Sequence, residues 1–214
     1  MSKQVTIVDY GIGNIFSVAR AIEKCGAEPV LTDDPALILK ADRLVLPGVG
    51  AFARGMQGLA ERGLVAPLQE YARKGRPLLG ICLGMQMLFD RSTEFGDHAG
   101  LGLIQGDIRA IEPGSVAGAA LKVPHIGWSP LVLPPECTGW ERTILDQAAP
   151  GVTAYFVHSF TAVPLREQDR LADAHYGAAR ISATVRKGNI YGCQFHPEKS
   201  GATGLRMLDS FLQI

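Results

Sequence analysis

Apolar and polar positions alternate along the first half of the chain in two rhythms. Val5 to Val8 is a short apolar run of the kind that forms a buried strand. Ile15, Val18, Ala19, Ile22 and Cys25 then recur at helical spacing on one face, and Gly26 is a natural stop. Residues 28–32 and 43–48 are the next strand candidates. Residues 56–75 read as mixed helix and loop, 77–81 as a strand and 83–92 as a helix. This rhythm predicts a parallel sheet with helices on both faces. Further along the pattern changes. Residues 106–113, 121–133, 154–163, 170–177, 181–188 and 190–197 are short strand candidates separated by turns, expected as antiparallel or mixed strands added to the sheet. An amphipathic helix over 202–214 closes the chain. With no repeat and no linker, residues 1–214 are expected to form a single α/β domain: a mostly parallel central sheet flanked by helices, with added antiparallel strands.

Composition narrows the function. The 21 basic and 21 acidic residues cancel, and no basic track or patch suits a nucleic acid or a membrane surface. A small neutral or zwitterionic substrate, or a protein partner, fits better. No apolar run approaches the ~20 residues of a membrane span, and the first residues lack the apolar segment of a signal peptide. Cys25, Cys82, Cys137 and Cys193 are scattered, with no CxxC, which points to a reduced, cytoplasmic compartment where most cysteines are small buried hydrophobes.

Cys82 is the exception. Gly80-Ile81-Cys82-Leu83-Gly84 is a G-x-C-x-G set between an apolar strand and a helix-like segment. That is the context of a nucleophile elbow with cysteine in place of serine. The sharp turn and the close packing around it favour glycine. A sulfur at a helix N-terminus is favoured as thiolate, and the Leu83 N–H is placed to face an oxyanion.

A nucleophile needs a base. His196 sits at the end of a strand candidate, before Pro197, where α/β sheets place their ligands. Glu198, two residues on, projects to the same side if the chain is extended and would orient the imidazole. Three alternatives compete: a strand-end histidine capped for structural reasons, His158 as a rival base, and a metal. Cys193 and His196 form a C-x-x-H pair, but no second pair completes a four-ligand site. Gly11-x-Gly13 follows a strand, yet Phe16 stands where a dinucleotide loop has its third glycine, so no cofactor is expected.

Residues 46–52 (LPGVGAF), 80–86 (GICLGMQ), 123–128 (VPHIGW), 155–160 (YFVHSF) and 192–201 (GCQFHPEKSG) together resemble the class I, triad-type glutamine amidotransferases. With DYGIGN at 9–14, the chain is similar to one branch, the glutaminase subunits of imidazole glycerol phosphate synthase. The resemblance runs from the first strand to the last helix. It implies Cys82 as nucleophile, His196 as base and Glu198 as orienter. It further implies an oxyanion hole at Gly48, Val49 and Gly50 with Leu83, and a glutamine site at Gln86 and Glu94 with the backbone of Ser159 and Phe160. For Glu94, residue type alone suggests a solvated loop carboxylate. The implied partner is a cyclase subunit with a (β/α)₈ barrel, because no second catalytic domain is apparent to use the ammonia. Interface candidates are Asn14, Trp128 and Lys187. Trp128 is equally readable as a core aromatic, and Lys187 as an ordinary hairpin lysine. No cofactor or metal is implied. Rival readings are the glutaminase subunit of another synthase, a cysteine hydrolase or peptidase of the same fold, and a catalytically silent regulatory subunit. The PGVG loop is the expected switch if the partner gates activity. The Gly/Ala-rich stretch 112–123 and Trp140 carry no functional reading.

Overall fold

The computed structural model describes residues 3–112, 114–116 and 119–214. Met1 and Ser2, at the start of the segment read for a leader, lie outside the described residues, as do Pro113, Ala117 and Gly118 of the Gly/Ala-rich stretch. The chain begins β1 (Lys3–Val8), α1 (Ile15–Lys24), β2 (Ala27–Thr32), α2 (Pro35–Lys40), β3 (Leu44–Gly48), α3 (Phe52–Glu61), α4 (Val65–Arg73), β4 (Leu78–Cys82) and α5 (Leu83–Met87). Short strands follow: β5 (Phe89–Ser92), β6 (His98–Ala99), β7 (Ile104–Ala110), β8 (Ser115–Val116), β9 (Ala119–Ala120), β10 (His125–Pro130), β11 (Thr153–His158) and β12 (Phe160–Pro164). The chain ends with β13 (Arg170–Tyr176), β14 (Ala179–Lys187), β15 (Ile190–Cys193) and α6 (Gly201–Gln213).

The seven-stranded central sheet has the order β13-β14-β15-β4-β3-β1-β2. Five neighbouring strands are parallel, and β14 and β13 add antiparallel at one edge. β3 and β4 are buried at every position, as expected for central parallel strands covered on both faces. Their side chains divide by alternation. Val45, Leu79 and Ile81 join the core under α1 and α6, whereas Leu44, Leu46 and Leu78 join the core under α2, α3, α4 and α5. Each such side chain stabilises the fold by about 1.5–3 kcal/mol on burial. At α1 the apolar face fills with Val18, Ala19, Ala21 and Ile22, and Gly26 ends the turn at φ +80°.

Three expectations need correction. The helix expected over 83–92 stops at Met87, and Phe89–Ser92 is a strand parallel to β7. Leu83, Met85, Met87 and Phe89 are spaced by two as well as fitting a short helix, so the apolar pattern supports either structure. In addition, the later strands do not all join the central sheet. β10 and β11 form a separate two-stranded ribbon, and β12-β7-β5-β6 form a small mixed sheet. The single strand expected over 154–163 is split at Ser159, because β11 pairs with β10 and β12 pairs with β7.

Candidate active site

The C-terminal ends of β3, β4 and β15 lie side by side, at the edge where open α/β sheets carry their chemistry. Cys82 closes β4 and leads into α5 with φ +55° and ψ −110°. That conformation costs a non-glycine residue about 1–3 kcal/mol. The flanking glycines follow from what surrounds them. A Cβ on Gly84 would lie 1.8 Å from the Leu46 carbonyl oxygen, and one on Gly80 would lie 2.7 Å from the Met85 nitrogen. Any side chain at either position would push the turn off β3 or off its own helix.

β15 ends at Cys193, three residues earlier than expected for the strand. The chain continues through a Gln194 N–H bond to the Ala183 carbonyl (2.9 Å) and a His196 N–H bond to the Tyr155 carbonyl (3.0 Å). Pro197–Lys199 then forms a 3₁₀ turn rather than extended chain. This turn, and not strand alternation, brings Glu198 Oε1 within 2.8 Å of His196 Nδ1. The Glu198 side chain is almost wholly buried. Burial of His196 works against its charged form. The hydrogen bonds and negative charges of Cys82 and Glu198 outweigh it and hold the imidazole up at about 9. At neutral pH the ring is therefore protonated, with its Nδ1 hydrogen-bonded to Glu198.

His158 is in the opposite state. Burial is the main cause that pushes it down to about 4, opposed by its bond to the Phe160 carbonyl. Its Nδ1 lies 2.8 Å from that carbonyl, and its Nε2 lies 3.0 Å from His125 Nδ1. Both ring nitrogens are engaged, so neither is free to take a proton from Cys82. The geometry thus favours His196 over the rival base.

A cavity of about 320 Å³ opens over the sulfur. Val49, Gly50, Cys82, Leu83, Gln86, Glu94, Ser159, Phe160 and His196 all line it, so nine positions singled out in the sequence converge on one space. Gly48 is not among them. It packs behind the wall, where a Cβ would meet the Tyr10 hydroxyl at 2.6 Å and the Gly84 nitrogen at 2.9 Å. Gly50 adopts φ +95°, a conformation that suits glycine. Glu94 is not a solvated loop carboxylate: it is half-buried and accepts the N–H of Phe52 at the start of α3. Gln86 spends its amide nitrogen on the Phe160 carbonyl (3.1 Å) and Gln194 Oε1 (3.0 Å). The Ser159 carbonyl already accepts the Ile111 N–H.

Of the interface candidates, Trp128 is 55% exposed and packs edge-on against Tyr155, so it is not a core aromatic. Asn14 stands at the N-cap position of α1 without a side-chain cap bond, at the same end of the sheet as the cavity. Lys187 lies at the opposite end, beside the start of β15 and β4, with its Nζ donating to the Leu103 carbonyl. The structure does not bring it to Asn14 and Trp128. Two residues escaped the sequence reading. Tyr10 is buried and donates its hydroxyl to the Pro47 carbonyl, and Gln194 is fully buried with its Nε2 3.8 Å from Cys82 Sγ. A lone amide between Cys193 and Phe195 in an apolar strand was the available signal. Among the described residues, no group of three or more His, Cys, Asp or Glu is gathered to hold a metal ion.

The glutamine amidotransferase class-I family model matches residues 6–214. A curated relative from Legionella pneumophila (strain Lens), imidazole glycerol phosphate synthase subunit HisH 1, is 51% identical over 98% of this chain and 99% of its own. The HisH subunit of Bacillus licheniformis is 43% identical over 98% and 96%. Among solved structures, one described as a glutamine amidotransferase superposes with a TM-score of 0.72 at 16% identity over 98% of this chain and 99% of its own. PurLQS from Thermotoga maritima gives a TM-score of 0.72 at 21% identity over 100% and 99%, a likeness of fold. On the match over almost its whole length and on these identities, the chain belongs to the class I glutamine amidotransferases.

Proposed function

We propose that the chain is the glutaminase subunit of an imidazole glycerol phosphate synthase, that it forms a single domain over 1–214, and that it works in the cytoplasm. The observation that carries the chemistry is the meeting of Cys82 and a Glu198-held His196 on one cavity. Cys82 sulfur, as thiolate, attacks the side-chain amide carbon of glutamine, and a C–S bond forms. Negative charge moves to the amide oxygen, which the Leu83 N–H and the Val49–Gly50 backbone face, with Gly48 supporting that loop from behind. Each such donor contributes about 3 kcal/mol. His196 gives its proton to the departing nitrogen, the C–N bond breaks and ammonia leaves. Water then attacks the thioester and passes a proton to His196, releasing glutamate and the thiolate. Gln86, Glu94 and the backbone of Ser159 and Phe160 hold the amino-acid end of the substrate.

Ammonia released into neutral water becomes ammonium, which is not a nucleophile. Direct passage to a bound cyclase subunit, a (β/α)₈ barrel, avoids that loss. Exposed Trp128 and Ile126, on the ribbon whose Val157–Ser159 stretch lines the cavity, offer an apolar docking face. The test is glutamate release from glutamine by the chain alone, with the cyclase, and with the cyclase plus its ribonucleotide substrate. Release that rises only in the full mixture and vanishes in Cys82→Ala supports the reading. Wild-type release by Cys82→Ala would remove the nucleophile, and release indifferent to the cyclase would remove the partner.

A further inference from the structure

Five buried side chains and one carbonyl form a continuous hydrogen-bonded chain that runs from Ser129 to Gln194. Phe160 O can only accept, so His158 Nδ1, 2.8 Å away, carries the proton of that ring. His158 is neutral, and its Nε2 therefore accepts from His125 Nδ1 at 3.0 Å. His125 lies stacked between Tyr176 and Phe156, with ring centroids 4.3 and 5.0 Å away. Burial disfavours its charge, so its Nε2 in turn accepts from the Ser129 hydroxyl at 3.0 Å. From the other side, Gln86 Nε2 donates one hydrogen to the same Phe160 carbonyl and the second to Gln194 Oε1. That bond fixes the Gln194 amide: its oxygen faces Gln86, and its NH₂ faces Cys82 Sγ at 3.8 Å. Every direction in the chain follows from the carbonyl at its centre. Gln194 itself has no exposed surface.

We infer that Gln194 is a further catalytic residue, whose side-chain N–H is aimed at the reacting sulfur by this buried chain and favours its thiolate. Hydrogen bonding to the charged form of an acid favours that form. The inference rests on Cys82 being the nucleophile. His158 acts through the shared carbonyl and is a positioning residue; Gln86, besides its place in the substrate cavity, fixes Gln194 through its Nε2. The titratable groups around the sulfur are His196, with Glu198 behind it, Tyr10 and Cys193, while Glu94 and His158 line the same cavity. Tyr10 and Cys193 are pushed up by burial and stay protonated in the working range.

The test is the rate of Cys82 alkylation by iodoacetamide against pH in the full chain, with the labelled site read by mass spectrometry. Gln194→Met removes the donor. Gln194→Glu keeps an acceptor for Gln86 but replaces the donor with a negative charge. Both should move the midpoint to higher pH, Gln194→Glu further, with alkylation about tenfold slower below the wild-type midpoint and no slower on the alkaline plateau. A uniform fall in rate with an unmoved midpoint would mean a packing role and overturn the inference. Should the variants not fold, the Gln194 side-chain amide resonances of the ¹⁵N-labelled wild-type chain supply the answer. They must shift across the alkylation midpoint, and their constancy overturns the inference. Failure of the underlying reading looks different: Cys82→Ala then keeps glutaminase activity whatever Gln194 does.

Discussion

His196 is an imidazole kept charged against its own burial, and this sets where activity should end. Its value of about 9 is raised, so the protonated form persists at neutral pH and is lost as pH climbs through 9. kcat/KM should therefore have an alkaline limb near that pH. Glu198→Gln removes the charge and leaves a weaker, neutral acceptor for the Nδ1–H, so both raising effects of Glu198 shrink and the limb should move to lower pH. A limb that stays in place would disconnect Glu198 from the base. The same sign applies to stability: the contribution of the protonated ring is present below about 6.5 and is lost as pH rises through about 9. His196→Asn should lose glutamate release by at least a hundredfold. His158→Asn should act mainly on KM, because His158 braces the Phe160 backbone at the cavity wall. The gathering of Cys82 and His196 on one cavity, with Glu198 on the imidazole, was legible in the sequence because each of the three lies in a short motif and the roles proposed for them restrict residue type. Gln194 was not, because its direction is set by a chain of contacts running through β10, β11, β12 and α5.

At the scale of elements, the elbow is held by the close approach of two backbones. Gly84 lets the start of α5 rest on β3, and its Cβ would sit within bonding range of the Leu46 oxygen. Gly84→Ala should destabilise the fold by about 3 kcal/mol or more. For a chain of this size that is a fall in Tm of roughly 6–12 °C. A melting temperature within 2 °C of wild type would contradict the packing described. The strand-elbow-helix was readable from Gly80 and Gly84 flanking a cysteine. The extent of α5 was not, since Leu83, Met85, Met87 and Phe89 satisfy two periods at once. Burial of Phe89 against β7 and its neighbours settles it, and that information is long-range.

For the whole molecule, the parallel half of the sheet was legible as alternating apolar runs, while the separation of the β10–β11 ribbon was not. Pairing partners for short strands depend on register with distant segments, and a single chain prints no such register. The ribbon carries Trp128 and Ile126 outward, opposite Tyr155 and Val157. Trp128→Ala should weaken cyclase binding about 30-fold, the scale of a hot-spot loss of 2 kcal/mol, with Tm almost unchanged because the ring is largely exposed. Lys187→Ala, at the far end of the sheet, should leave that affinity intact. Titration of the two subunits by calorimetry checks both. The ribbon has a further consequence. The groups proposed to break the bond stand at the edge of a seven-stranded sheet, whereas Ser159 joins the two-stranded ribbon to the separate four-stranded sheet and is tied to both. An inhibitor design can use this division. A sulfur-directed warhead addresses the end of the central sheet, while a reversible ligand shaped to the Ser159 wall addresses the junction of the two smaller sheets. Joining the two would give a compound whose labelling rate depends on how those sheets are set against the central one.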